Sequence, residues 1–290
     1  FYVSWQSGSQ QIAVIFAALL GVGLNQYLGK SVMTDWGWRI PFIVGCLIVP
    51  FLFYIRRMLE ETEAFNQRKH RPSMSEITRS VASNWQLVLV GMFMVVTTTV
   101  SFYLITAFTP TYGKTVLQFT AQQSFLVTLL VGISNLFWLP VMGSLSDKVG
   151  RRPLLLLFSV LMLLTSYPSL NWLVAHPSFA HLIEVELWLS FMYASYNGAM
   201  VVCLTEIMPA EVRASGFSMA YSLATAIFGG FTPAISSYLI HATGDKAMPG
   251  MWLSAAAACG LIAALALPAI QRLNSNRAGT VPSGSPVEPK

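Results

Sequence analysis

Two clusters, each mixing carboxylates with cations, stand between long apolar runs of the chain. Asp147, Lys148, Arg151 and Arg152 fall within Gly143-Ser-Leu-Ser-Asp147-Lys148-Val-Gly150-Arg151-Arg152-Pro153, and Glu206 leads Arg213 in Glu206-Ile-Met-Pro209-Ala-Glu211-Val-Arg213. Carboxylates and cations at this spacing make and break ion pairs and charge-assisted hydrogen bonds. The chain shows no nucleophile with a paired base, no metal-ligand spacing and no phosphate-binding loop, so the chemistry is that of a latch, not of bond cleavage. Each cluster also has a plainer reading. Cations at 148–152 can anchor a loop on one side of a bilayer, and Glu206 with Arg213 can serve helix-end electrostatics. Anchoring alone would need neither Asp147 nor the glycines at 143 and 150.

A second set of polar side chains lies inside apolar runs: Gln6, Gln10 and Gln11, then Thr97, Thr98, Thr99, Tyr103 and Thr106, then Asn135 and Trp138, and finally Tyr193, Tyr196 and Asn197. Tyr193, Tyr196, Asn197 and Met200 recur at steps of three or four, which places them on one helix face. Hydroxyl and amide donors suit a carboxylate solute, and equally they bond helix to helix within a bundle. No ionisable residue is expected at depth: Arg39, Glu184, Glu186 and Glu206 fall near predicted helix ends, and His176, His181 and His241 in or beside outer loops. Cys46, Cys203 and Cys259 show no paired or metal-binding spacing and read as small apolar packing residues.

The elements that must position these groups follow from composition. Of 290 residues, 54% are hydrophobic and 10% charged, with a mean hydropathy of +0.60, which places the chain among multi-spanning membrane proteins. Uncharged runs bounded by Gly, Pro and charge predict eight helices at about 6–28, 38–55, 86–110, 123–145, 154–174, 184–207, 215–240 and 250–270. The runs are continuous and not alternating, which excludes barrel strands. With both ends cytoplasmic, 13 of the 17 Lys and Arg fall inside and only Lys30, Arg39, Lys114 and Lys246 outside. The net charge of +5 is thus a topological signal and not that of a nucleic-acid binder. Trp36, Trp38, Trp85, Trp172 and Trp252 stand near predicted helix ends, as interface anchors do. The polar segment 56–84 reads as a cytoplasmic linker between two helical units, residues 1–55 and 85–271, and 272–290 as a disordered cytoplasmic tail.

The motif at 143–153 resembles the G-x-L-S-D-[RK]-x-G-R-R-P signature of the major facilitator superfamily, and the Glu206 to Arg213 element resembles E-x-x-P-x-x-x-R of the same transporters. Ser4-Trp5-Gln6, Trp36-Gly-Trp-Arg39-Ile-Pro41-Phe and Arg57-Met-Leu-Glu-Glu61-Thr62-Glu63-Ala-Phe65 resemble the metabolite:proton symporter group. Thr109-Pro110-Thr-Tyr112-Gly113-Lys114-Thr, Gly132-Ile-Ser-Asn135-Leu-Phe-Trp138-Leu-Pro140 and Tyr196-Asn197-Gly198-Ala199-Met200 are similar to its citrate/tricarballylate proton symporters.

The resemblance implies an all-α membrane protein: a partial major facilitator bundle of eight transmembrane helices, the last two of the N-terminal half plus a complete six-helix C-terminal half. It implies proton-coupled symport of a small carboxylate by alternating access in the inner membrane, with no cofactor, metal or enzymatic activity. Gly143, Asp147, Lys148, Gly150, Arg151, Arg152, Glu206 and Arg213 would form the gating motif. Gln10, Tyr103, Asn135, Tyr193, Tyr196 and Asn197 would line the solute pathway. Partners would be the solute, protons, the lipid bilayer and four further N-terminal helices, which in relatives carry the intramembrane charges. Symporters of proline/betaine or α-ketoglutarate/shikimate, a transporter-like sensor and an inactive fragment are the alternatives.

Overall fold

The computed structural model describes residues 2–58, 82–208 and 213–279, with side chains given for all of these except Lys30 and 271–279. Eight helices among them are long and apolar enough to cross a membrane: α1 Ser4–Tyr27, α2 Gly37–Met58, α3 Trp85–Thr115, α4 Ala121–Val149, α5 Arg151–Ala175, α6 Phe179–Ile207, α7 Arg213–Thr243 and α8 Met248–Ile270. No strand occurs among the described residues. All eight correspond to the helices expected from the apolar runs, and most start or end a few residues beyond them because the last polar turn of a helix needs no apolar side chains.

The bundle is centred on α6, which packs along α4 and α5 and also touches α3. α1 lies along α4, α5 along α8, and α8 along α3. α6 is mostly buried within the bundle and α2 is not, so α2 offers its apolar surface outward. The exposed side chains of Phe42, Leu47, Phe51 and Phe53 are therefore unsuited to water but suited to lipid or to further helices.

Local sequence explains where the helices start and stop. Thr120 and Gln123 form a reciprocal capping box at the start of α4. The Ser178 hydroxyl accepts from His181 N at 3.0 Å and begins α6. The expected loop 143–153 shrinks to one residue: α4 runs to Val149 and α5 starts at Arg151. Gly150 between them has φ 98° and ψ 157°, a conformation essentially restricted to glycine, so the chain reverses without spending further residues.

Two helices are broken where the sequence only hints at it. α3 passes through a π-helical stretch, Tyr103–Phe108, and α7 through another, Thr225–Gly229. Gly229-Gly230 with Pro233 stands at the second break and serves both close packing and the interruption of the helix. A Cβ at Gly229 would lie 2.9 Å from Thr99 Cβ, and the π-helical stretch ends at Gly229.

The expected linker lies mostly outside the described residues, although Arg56 and Arg57 at its start still belong to the last turn of α2. The final helix continues to Gly279, beyond Leu273 where the apolar pattern ends. Extending a formed helix costs less than starting one, so backbone hydrogen bonding carries it into the polar stretch. Residues 280–290 lie outside the described set.

Candidate functional site: a charge cluster at three helix ends and a buried polar seam

The motif residues converge on Arg151. Its Nη1 lies 2.8 Å from Asp147 Oδ1 and donates to Ser146 O at 2.5 Å, while Nη2 donates to Glu206 Oε1 at 3.1 Å. One guanidinium thus ties the last turn of α4, the first turn of α5 and the last turn of α6, a use of its planar fork that a point-charge lysine cannot reproduce. It gives the Ser146 carbonyl a second donor beside Gly150 N, 3.1 Å away, and sits beside that helix's negative pole. Arg152 Nε donates to Ala264 O of α8 at 3.4 Å. Lys148 is exposed and takes part differently: with Trp5, Phe137, Trp138, Pro140 and Ser144 it lines a groove of about 780 Å³ along α4.

Glu206 and Arg213 do not pair with each other among the described residues. Glu206 is held by Arg151, and Arg213 Nε donates instead to Met208 O at 3.3 Å. Helix-end electrostatics therefore describes Arg213: it caps an orphan carbonyl where α6 ends. Pro209 and Glu211 of the same motif lie outside the described residues.

Gly143 contributes space. The Ser4 side chain of α1 presses against it, with Ser4 Cβ 2.7 Å from where a Gly143 Cβ would be. On its other side is Gly198 of α6, whose own Cβ would lie 2.9 Å from Gly143 N and 3.1 Å from Leu139 O. Three backbones cross here because small residues meet.

Above this crossing runs a buried polar seam. Asn135 Nδ2 donates to Gln11 Oε1 of α1 at 3.2 Å, and Ser190 of α6 donates to Asn135 Oδ1 at 2.8 Å. The residue engaged is Gln11, fully buried, whereas the neighbouring Gln10 is exposed. On a helix adjacent residues point about 100° apart, and only packing of α1 on α4 decides which one turns inward. Asn197 Nδ2 donates to Tyr193 Oη at 3.4 Å, and its Oδ1 is buried without a partner. Tyr196, one helical step round, donates to Met94 O at 3.2 Å and so packs α6 on α3. Tyr103 lies half-buried in the π-helical stretch with its ring against Gly229.

Replacing Asn135 by alanine removes both seam bonds and leaves Gln11 without its partner, while Ser190 can still donate to Ser134 Oγ at 3.0 Å. The expected loss is about 1–2 kcal/mol of bundle stability, read as a lower thermal unfolding midpoint in detergent.

One buried acid outside the cluster and the seam escaped sequence reasoning. Glu186, expected near a helix end, is 3% exposed and accepts from Thr109 Oγ1 of α3 at 2.7 Å. The predicted α6 began at 184, but the helix begins at Phe179, which sinks Glu186 by more than a turn. The Ser178 cap was the signal that could have revealed it.

A bundle of membrane-length helices in which one arginine ties three helix ends together, with unsatisfied polar atoms buried between helices, has the build of a secondary transporter. The chain belongs to the Major Facilitator Superfamily, whose profile matches residues 1–233 and again 139–289. It is 59% identical to the "Citrate-proton symporter" of Klebsiella pneumoniae over 263 residues, covering 91% of this chain and 59% of that protein. It is 55% identical to the protein of that name from Salmonella typhi, covering 91% and 61%. The "Proline/betaine transporter" of Escherichia coli strain K12 is 27% identical over 99% of this chain and 59% of its own length. Among solved structures, the D-xylose-proton symporter shares the fold with a TM-score of 0.70 at 20% identity, covering 91% of this chain and 62% of that one. The chain thus spans about three-fifths of the length of these curated relatives, which are transporters and not enzymes.

Proposed function

We propose that the chain supplies eight helices of a proton-coupled symporter that moves a small carboxylate, citrate or tricarballylate, by alternating access. The observation that carries the solute class is the high identity to two citrate-proton symporters over most of the chain, against a much lower one to proline/betaine transporters. In this reading four further helices precede α1 and complete the cavity wall, and residues 56–84 link the two halves on the cytoplasmic side. The protein lies in the inner membrane with both ends of this chain inside.

The geometry supports the alternating-access part. Asp147, Arg151 and Glu206 bind the inner ends of α4, α5 and α6 as one block, and Gly143 of that block bears on α1. Such a block moves as a unit against α1 and α2. The buried donors and acceptors of Gln11, Asn135, Tyr193 and Asn197 are suited to the pathway.

The test is uptake of labelled citrate, tricarballylate, α-ketoglutarate and proline by vesicles carrying the full-length transporter under an inward proton gradient. Citrate and tricarballylate are expected to accumulate, and a protonophore to abolish it. Accumulation of proline alone would show the carboxylate assignment to be wrong.

A further inference from the structure

Glu186 is the buried acid for which the charge cluster has no use. It lies about 10 Å along α6 from Phe179, counting 1.5 Å per residue. One oxygen, Oε1, accepts from Thr109 Oγ1 at 2.7 Å; the other, Oε2, is buried with no partner. No cation is bonded to it among the described residues. α3 faces it with Tyr112, whose hydroxyl donates to Lys246 O, and carries Lys114 at its outer end. On α4 the only charged groups are Asp147 and Lys148, at the far inner end. α5 offers Tyr167, which donates to Asp245 Oδ2, and keeps Arg151 and Arg152 at its inner end. α6 itself adds His181 and Glu184 within five residues on one side and Tyr193, Tyr196, Cys203 and Glu206 on the other, and α1 nothing ionisable but Tyr27.

A charged carboxylate so placed suffers desolvation with no ion to offset it, and a proton removes that penalty. Thr109 is suited to both forms. Its hydroxyl can donate to the carboxylate at Oε1; with the acid protonated there, it can accept and turn its own hydrogen to Leu104 O, 3.2 Å away. Leu104 and its neighbours form the π-helical stretch of α3 that ends one residue before Thr109. Such stretches break the regular backbone ladder and recur at functional sites. Glu186 also heads a buried polar line on α6, with Ser190, Tyr193 and Asn197 at steps of four, three and four, so a change at the seam reaches it along one helix face.

From this geometry we propose that Glu186, oriented by Thr109, is a proton-binding group of the transport cycle. It gains one proton to become the neutral acid and returns it as carboxylate when α3 shifts at its π-helical stretch. The inference rests on the symport reading above.

The test uses the full-length transporter in proteoliposomes with labelled citrate, comparing uptake driven by a pH gradient with citrate counterflow at equal pH. Glu186→Gln is expected to lower gradient-driven uptake by about tenfold or more while counterflow stays within about twofold of wild type, because exchange needs no net proton movement. Wild-type gradient-driven uptake in this variant overturns the assignment, as does loss of counterflow in a folded variant. Absence of gradient-driven uptake in the wild-type protein would instead defeat the symport reading. Should Glu186→Gln fail to fold, Thr109→Val decides. It keeps the shape and removes the hydroxyl, and is expected to displace the pH midpoint of uptake by about one unit with KM for citrate unchanged; an unmoved midpoint overturns the proposal.

Discussion

Replacing Gly198 by alanine is expected to destabilise the bundle by about 2–3 kcal/mol, the usual scale for overpacking. The new methyl group would lie 2.9 Å from Gly143 N, 3.1 Å from Leu139 O and 3.2 Å from Met142 C, all backbone atoms of α4. A side chain can rotate away from such a contact, but a helix backbone cannot, so α6 and α4 must separate and carry α1 with them. Gly45→Ala is the control: nothing lies within 4 Å of its Cβ position. There the change is expected to be neutral or stabilising by up to about 1 kcal/mol, since alanine is the better helix former. Thermal unfolding of both variants in detergent checks the contrast, and equal midpoints would show that the three-helix crossing is looser than described.

Arg151→Ala should have the largest effect on transport that leaves the fold in place. It removes the shared cation from Asp147 and Glu206 at once and takes away one of the two donors to the Ser146 carbonyl. An exposed ion pair by itself contributes little. Arg151, however, joins three helix ends with a side chain that is only 22% exposed, and its loss uncouples their movement. Uptake by the full-length transporter is expected to fall roughly tenfold, about 1.4 kcal/mol in the barrier, with membrane insertion unchanged because Lys148 and Arg152 still set topology. Arg151→Lys should recover only part of the rate, since one ammonium cannot span both carboxylates in the same plane. Asp147→Asn should be milder, leaving the bond to Glu206. Unimpaired uptake in Arg151→Ala would reduce the cluster to a topological anchor.

Much of this was legible in one dimension. Helix number and approximate position follow from runs of apolar side chains, which report directly on the solvent a segment requires. Gly150 was legible for a similar reason: a reversal between two long helices demands a residue free of Cβ strain, and few residues qualify. The charge cluster was legible as a set of residues, although not as a set of bonds. Glu206 and Arg213 are neighbours in sequence and looked like a pair, yet Arg151, 55 positions from Glu206, reaches it first.

The polar seam shows where one-dimensional reading ends. Gln10 and Gln11 are the same residue type in adjacent positions, and nothing local distinguishes them; burial follows from how α1 rolls against α4. Tyr193 and Tyr196 likewise share a spacing pattern but meet different helices, one pairing with Asn197 and the other anchoring α3. Glu186 was hidden by a boundary error of five residues, enough to move a carboxylate from the membrane rim into the bundle.

The sequence by itself determined the solvent, the helices, the family and the cast of charged residues, because each depends on composition and local spacing. Only the tertiary structure decided which partners those residues take, which glycines lie against backbone and which acid is buried. Those outcomes depend on helix rotation and register, quantities set by the sum of many packing contacts and encoded at no single position.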